Sequence, residues 1–127
     1  MRMPHPLLQG ATILVVEDEA LIVLEISTAF ESTGAHVTTT NTLKHARLLV
    51  EHDGLTAALI DNALPDGDGE NLCTRLKERS IPFLMYSGMP QPIGGPCEGA
   101  PYLPKPASQE ELLDAMEAMI GDYKNAL

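Results

Sequence analysis

Cations, cysteine and long apolar runs are all scarce in this chain of 127 residues. Eight Lys and Arg stand against eighteen Asp and Glu, a formal charge of −10, so there is no basic stripe to replace the counterions of a nucleic acid. The apolar runs stop far short of a membrane span. The opening Met-Arg-Met-Pro-His-Pro-Leu-Leu-Gln-Gly holds no hydrophobic core long enough for a secretion signal. Its two prolines predict a flexible N-terminal lead-in over residues 1–10. Cys73 and Cys97 have no metal-like spacing and no disulfide framework around them, which points to a reducing cytoplasm, with Cys97 an inert cysteine in an exposed loop. His5, His36, His45 and His52 are scattered, and none has the setting of a metal ligand or relay histidine. No Gly-x-Gly-x-x-Gly follows the first apolar run, which argues against dinucleotide binding. Internal repeats and domain linkers are absent.

What remains is an apolar content of 44%, enough for one core, and a single domain over 11–127. Ala11 to Val16 reads as a strand buried on both faces, running into Glu17-Asp18-Glu19. A helix over Ala20 to Thr33 follows, with Leu21, Leu24, Ala29 and Phe30 inward and Ile22, Val23 and Ile26 widening the stripe, closed by Gly34. Ala35 to Thr39 suits an edge strand, and Thr42 to Glu51 a helix with Leu43, Ala46, Leu48, Leu49 and Val50 at helical spacing. Ala57 to Ile60 is a third strand, and it delivers Asp61 where the strand stops. Turn formers Pro65, Gly67 and Gly69 come next, then a helix over Glu70 to Arg79 with Leu72, Cys73 and Leu76 inward. Ile81 to Tyr86 is a fourth strand ending on Ser87-Gly88. Residues 89–99 carry three prolines and three glycines, which forbid a regular helix. Ala100 to Leu103 is the fifth strand and Pro104-Lys105-Pro106 a turn. Ser108 and Glu111 then form a capping box for a last helix, whose buried face includes Met116 and Met119.

Alternation of this kind means an α/β fold: a doubly wound parallel sheet of flavodoxin-like (βα)5 type, strand order 2-1-3-4-5, with the fourth helix missing or irregular. The polar residues that interrupt its strands all do so at carboxyl ends: Glu17 and Asp18, Asp61, Ser87 and Lys105. In that strand order these ends converge on one crevice. Three carboxylates brought together repel unless a cation joins them, and an all-oxygen donor set with room for a phosphate suits Mg²⁺. Lys105 adds a fixed positive charge and Ser87 a hydroxyl. A nucleophilic carboxylate, a metal, a lysine and a hydroxyl are what is needed to move a phosphoryl group onto Asp61.

On those residues the chain resembles the receiver domain of a two-component response regulator. Glu17-Asp18 resembles the acidic pair and Asp61 to Gly69 the phospho-acceptor loop. Ser87-Gly88 resembles the switch hydroxyl, Lys105-Pro106 the invariant lysine, and Tyr102 the rotating aromatic. The resemblance implies that Asp61 takes phosphate from a sensor histidine kinase or phosphotransfer protein. It also implies that Asp18, Asp61 and the backbone carbonyl of Ala63 hold Mg²⁺, with Glu17 helping directly or through water. The chain is expected to be a cytoplasmic bacterial phosphoprotein of stand-alone type, monomeric or weakly dimeric, with no output domain, no nucleic acid and no membrane partner. Its string Pro82-Phe83-Leu84-Met85-Tyr86-Ser87-Gly88 is similar to a signature of some α-proteobacterial stand-alone receivers with a poorly formed fourth helix.

Other readings are weaker. Asp66-Gly-Asp68-Gly fails as a calcium loop, because Asn71 and Lys77 stand where a glycine and a glutamate are required. A turnover phosphatase needs a general acid two residues after the nucleophile, and that position is Ala63, so nothing beyond slow autodephosphorylation is expected. A constitutive, phosphorylation-independent interaction module would not need all the pocket residues this chain retains. Ser87 moving toward a phosphate is expected to drag residues 88–99 and rotate Tyr102.

Overall fold

The computed structural model describes residues 5–61, 63–67, 69–91 and 93–126. Nine elements follow in order: β1 Thr12–Val16, α1 Ala20–Glu31, β2 His36–Thr40, α2 Leu43–Leu49, β3 Ala57–Ile60, α3 Glu70–Glu78, β4 Phe83–Ser87, β5 Tyr102–Pro104 and α4 Gln109–Ala126. The strands form one parallel sheet in the order β2-β1-β3-β4-β5. That is the doubly wound α/β architecture expected. Among the described residues no helix lies between β4 and β5, so one (βα) unit lacks its helix.

Side chains alternate across a strand, and both faces of this sheet are covered. Ile13, Val15, Ala57, Leu59 and Leu84 therefore face one apolar cluster with Ile26, Phe30, Leu113 and Met116 of α1 and α4. Their neighbours Leu14, Val16, Ala58, Ile60 and Met85 face a second cluster with Leu43, Ala46, Leu72 and Leu76 of α2 and α3. Met116 and Met119 are core, at 0% and 6% exposure. Ser108 and Glu111 make the reciprocal cap of α4: each backbone N–H donates to the other's side chain at 3.1 Å. The α2 N-terminus is capped from two sides. Thr42 Oγ1 accepts from His45 N–H, and the Asp66 carboxylate accepts from the Leu43 and Lys44 N–H groups at 2.9 and 3.1 Å.

Four expectations need correction. First, residues 5–10 are not a loose lead-in. Leu8 is fully buried in the α1/α4 cluster, the Leu7 N–H donates to Glu117, and His5 pairs with Asp114 at 2.8 Å; residues 1–4 lie outside the described residues. Burying a leucine outweighs the freedom two prolines suggest. Second, Leu21, Leu24 and Leu48 point outward, exposed by 77%, 62% and 63%. The apolar residues of α1 run round the helix, and one face can take only Ile26, Ala29, Phe30 and the half-buried Ile22. Third, β4 reaches Ser87 and β5 starts at Tyr102, because β5 pairs Tyr102 with Met85 and Pro104 with Ser87. Fourth, Cys97 is neither exposed nor free: it is 5% exposed and disulfide-bonded to Cys73, with the two Cα atoms 5.3 Å apart, within bonding range. The tight turns around it bring Cys97 over α3, which spacing alone did not reveal.

Candidate functional site

Each site residue owes its place to a strand end. The Val16 carbonyl accepts the Asp61 N–H at 2.9 Å, setting the first residue after β3 beside the first after β1. The Ser87 carbonyl accepts the Lys105 N–H at 3.0 Å, which fixes the lysine beside the end of β4. The Lys105–Pro106 peptide bond is cis.

Glu17 and Asp61 are buried, at 0% and 3% exposure, and Lys105 bridges them: its Nζ lies 2.6 Å from Glu17 Oε2 and 3.2 Å from Asp61 Oδ2. The remaining oxygens are also engaged. Glu17 Oε1 accepts from the Asp18 and Glu19 N–H groups, and Asp61 Oδ1 accepts from the Ala63 N–H at 3.0 Å. Asp18 stands exposed at the rim, and one carboxylate oxygen from each of Glu17, Asp18 and Asp61 falls within 4.8 Å of the others. A cleft of about 590 Å³ opens beside them between α1 and α2, with Glu17 and Asp18 in its wall.

Burial pushes the Glu17 carboxyl above its ordinary value, and the Lys105 hydrogen bond only partly offsets this. Burial works to lower the Lys105 pKa, but its bonds and charge attraction to Glu17 and Asp61 win and raise it. One lysine cation thus pairs with two of three converging carboxylates. The set is all oxygen, two of its members are buried, and it remains negative after Lys105 is counted, so the residues fit a hard divalent cation.

Ser87 comes to the same edge fully buried, its hydroxyl oxygen accepting the Met89 N–H at 3.1 Å. Tyr102 is half-buried and hooks the same turn, its hydroxyl donating to the Ser87 carbonyl at 3.3 Å and to the Met89 carbonyl. Ala63 is seen here through its N–H, bonded to Asp61. All seven residues singled out from the sequence are therefore at one end of the sheet. Tyr86 was not among them. Its ring lies 5.6 Å from Lys105 Nζ and its hydroxyl accepts the Ala107 N–H, so it braces the lysine's turn. An aromatic inside an apolar strand gave no sign of that.

Comparison with known proteins agrees with this geometry. The family model for the response regulator receiver domain matches residues 13–117. The transcriptional regulatory protein TcrA of Mycobacterium tuberculosis is 33% identical over 116 residues, 87% of this chain and 46% of that protein. BasR of Escherichia coli, also a transcriptional regulatory protein, is 28% identical over 119 residues, 89% of this chain and 54% of its own. The chain spans about half the length of these curated relatives. A receiver domain from Methanospirillum hungatei superposes with a TM-score of 0.81 at 23% identity, covering 94% of this chain and all of that one, a likeness of fold. The receiver domain of the sensor histidine kinase PA1611 from Pseudomonas aeruginosa, solved with magnesium in its active-site cleft, gives 0.76 at 25% identity over 88% of this chain and 98% of its own. With its sheet order, its acidic cleft and this match over most of its length, the chain belongs to the response regulator receiver domain family.

Proposed function

We propose that Asp61 accepts a phosphoryl group from a phosphohistidine of a sensor kinase or phosphotransfer protein, and that this chain's output is a changed protein-binding surface. The observation that carries the reading is the Lys105 bridge. A buried carboxylate at a strand end is held by a lysine whose charge is shared with a second buried acid, beside an exposed third. In transfer, an Asp61 oxygen attacks phosphorus, the histidine N–P bond breaks, and the acyl phosphate remains on Asp61. Lys105 then follows the new negative charge, exchanging its bond to the Asp61 carboxylate for a phosphate oxygen. The Ser87 hydroxyl leaves the Met89 N–H and donates to another phosphate oxygen, and Tyr102, bonded to the same turn, moves with it.

Asp18, Asp61 and the Ala63 carbonyl, with Glu17 directly or through water, are the residues that would hold Mg²⁺. When bound, that ion neutralises charge on the transferring oxygens. The magnesium reported for the PA1611 receiver supports the assignment. The family setting favours the cytoplasm, and at most slow self-hydrolysis of the acyl phosphate is expected, since Ala63 offers no acid or base.

The test is intact mass after incubation with a small acyl phosphate donor and Mg²⁺, beside Asp61→Asn. One phosphoryl adduct on the parent, absent from the variant and absent without Mg²⁺, is expected. An adduct on Asp61→Asn, or none on the parent with either a small donor or a phosphorylated kinase, refutes it.

A further inference from the structure

The Cys73–Cys97 disulfide joins the two segments that leave the site. Cys73 lies in the first turn of α3, directly after the loop that follows Asp61; Cys97 lies in the stretch that follows Ser87 and stands where a helix is missing. Cys97 Sγ also sits 3.9 Å from the carbonyl oxygen of Gly69, at the α3 N-terminus. The described residues of the 88–99 stretch are tied mainly to the end of β4, to Tyr102 and to one another. Ile93 is 98% exposed and Met89 50%, and its own turns are closed by short-range bonds, Glu98 N–H to Gly95 O and Ala100 N–H to Cys97 O. Its contact with α3 through Lys77 Nζ and the Glu98 carbonyl is long, at 3.5 Å. The Glu70 carboxylate of α3 also lies against Gly95, and the covalent bond is the tie that a thiol can break.

We propose that Cys73–Cys97 is a thiol–disulfide exchange site for a dithiol protein, and that its reduction frees residues 88–99 from α3. Two features make the bond a switch rather than a permanent staple. Cys97 is 5% exposed at the edge of the α2/α3 cluster, but its chain neighbours Gly95, Glu98 and Gly99 are exposed, so the bond lies one or two residues below the surface of its segment. Lys77 follows Cys73 by one helical turn on the same face, a cation that favours the thiolate on the leaving sulfur.

A thiolate of the dithiol partner attacks Cys97 Sγ. The Cys73–Cys97 bond breaks, and Cys73 leaves as thiolate and takes a proton. The partner's second thiolate then attacks the sulfur of its own cysteine in the mixed disulfide. Cys97 leaves and is protonated, the partner is now a disulfide, and two electrons have passed into this chain. Oxidised partner or oxidised glutathione runs the reaction backwards. In a reducing cytoplasm the dithiol is the resting state and oxidation locks the segment. The redox state thus acts on the same stretch that phosphorylation is proposed to move, by an independent route.

The test needs no phosphorylation. Protein purified without reductant is equilibrated with reduced thioredoxin-type dithiol or with oxidised glutathione, alkylated for mass analysis, and followed by hydrogen exchange. The expected result is both cysteines blocked as purified, both alkylated after dithiol, reversal on reoxidation, and exchange in 89–99 faster by at least about tenfold while β1 and β3 stay protected. Cys97→Ala should exchange like the reduced parent and ignore the dithiol. Two free thiols after purification in air, a bond that the dithiol cannot reduce in the folded protein, or unchanged exchange after reduction each overturn the proposal. A phosphoryl adduct measured separately on Asp61 bears on the proposed function alone.

Discussion

Replacing Lys105 by methionine keeps most of its volume and removes the cation that bridges Glu17 and Asp61. The side chains of those acids are 0% and 4% exposed, and that of Lys105 13%. Breaking a buried pair while leaving its partners in place costs about 3–5 kcal/mol. The low end, about 3 kcal/mol, applies here because the Asp18 rim is open to water. Unfolding entropy of about 2.1 cal/mol/K per residue makes this a fall in Tm of about 10 °C for a domain of 127 residues. The loss should depend on pH. The Glu17 carboxyl already lies above its ordinary value of 4.5, and losing Lys105 removes the strongest influence holding it down. A carboxyl whose folded pKa is raised binds its proton more tightly when folded. Its stabilising contribution is present below pH 4.5 and lost as pH rises through the folded value. In EDTA the gap between Lys105→Met and parent should therefore be smaller at pH 4.5 than at pH 8, by calorimetry or circular dichroism melts. Mg²⁺ at pH 8 should stabilise the variant more than the parent, because without the lysine the acids carry one more uncompensated negative charge. A gap that is equal at both pH values, or under about 3 °C at pH 8, refutes the view that Lys105 compensates two buried anions.

Leu8→Ala should cost about 3 kcal/mol, read by urea unfolding, since Leu8 is fully buried among α1 and α4; a loose lead-in would show no change. Asp66→Ala removes the carboxylate that caps α2 and should lower Tm at pH 7. The N–H of Leu43 chiefly, and that of Lys44, hold the Asp66 carboxyl below its ordinary value of 3.8. The cap's contribution is thus present above that pH and lost as pH falls through the folded value, and a gap that persists at pH 2 would contradict it. Tyr102→Phe leaves the ring but removes the hydroxyl that bonds the Ser87 and Met89 carbonyls. Amide exchange at Met89 should quicken with Tm nearly unchanged, and an unaltered Met89 would show that the hydroxyl does not hold the turn.

Much of the fold was legible because its strands are short apolar runs that end on polar residues. Val16 meets Glu17, Ile60 meets Asp61, and Tyr86 meets Ser87, so both the end of the strand and the chemistry it presents are written at one place. The capping box of α4 is legible for a similar reason, since Ser108 and Glu111 are partners three residues apart. Legibility failed where the apolar signal was too plentiful or the partner too distant. In α1 nearly every turn offers a hydrophobic residue on each side, and the period alone does not say that Ile26 and Phe30 go in while Leu21 and Leu24 stay out. Leu8 docks on a helix more than a hundred residues away, and Asp66 caps a helix that precedes it by over twenty.

From sequence alone came the order of the elements, the gap where a helix is missing, and the identity of the residues at the strand ends. These are set by local periodicity, by proline and glycine, and by the few places where an acid, a hydroxyl or a lysine follows an apolar run. The tertiary structure decided what those residues do to one another. Parallel pairing in the order 2-1-3-4-5 sets Lys105, the last of them in sequence, between Glu17 and Asp61, and so fixes which carboxyl is raised by burial and which cation offsets it. It also laid Cys97 on Cys73, across 24 residues, because the turns of a segment too rich in proline and glycine to be a helix fold it back over α3. Electrostatics and covalent pairing depend on distance in space, and only the packed sheet sets that distance.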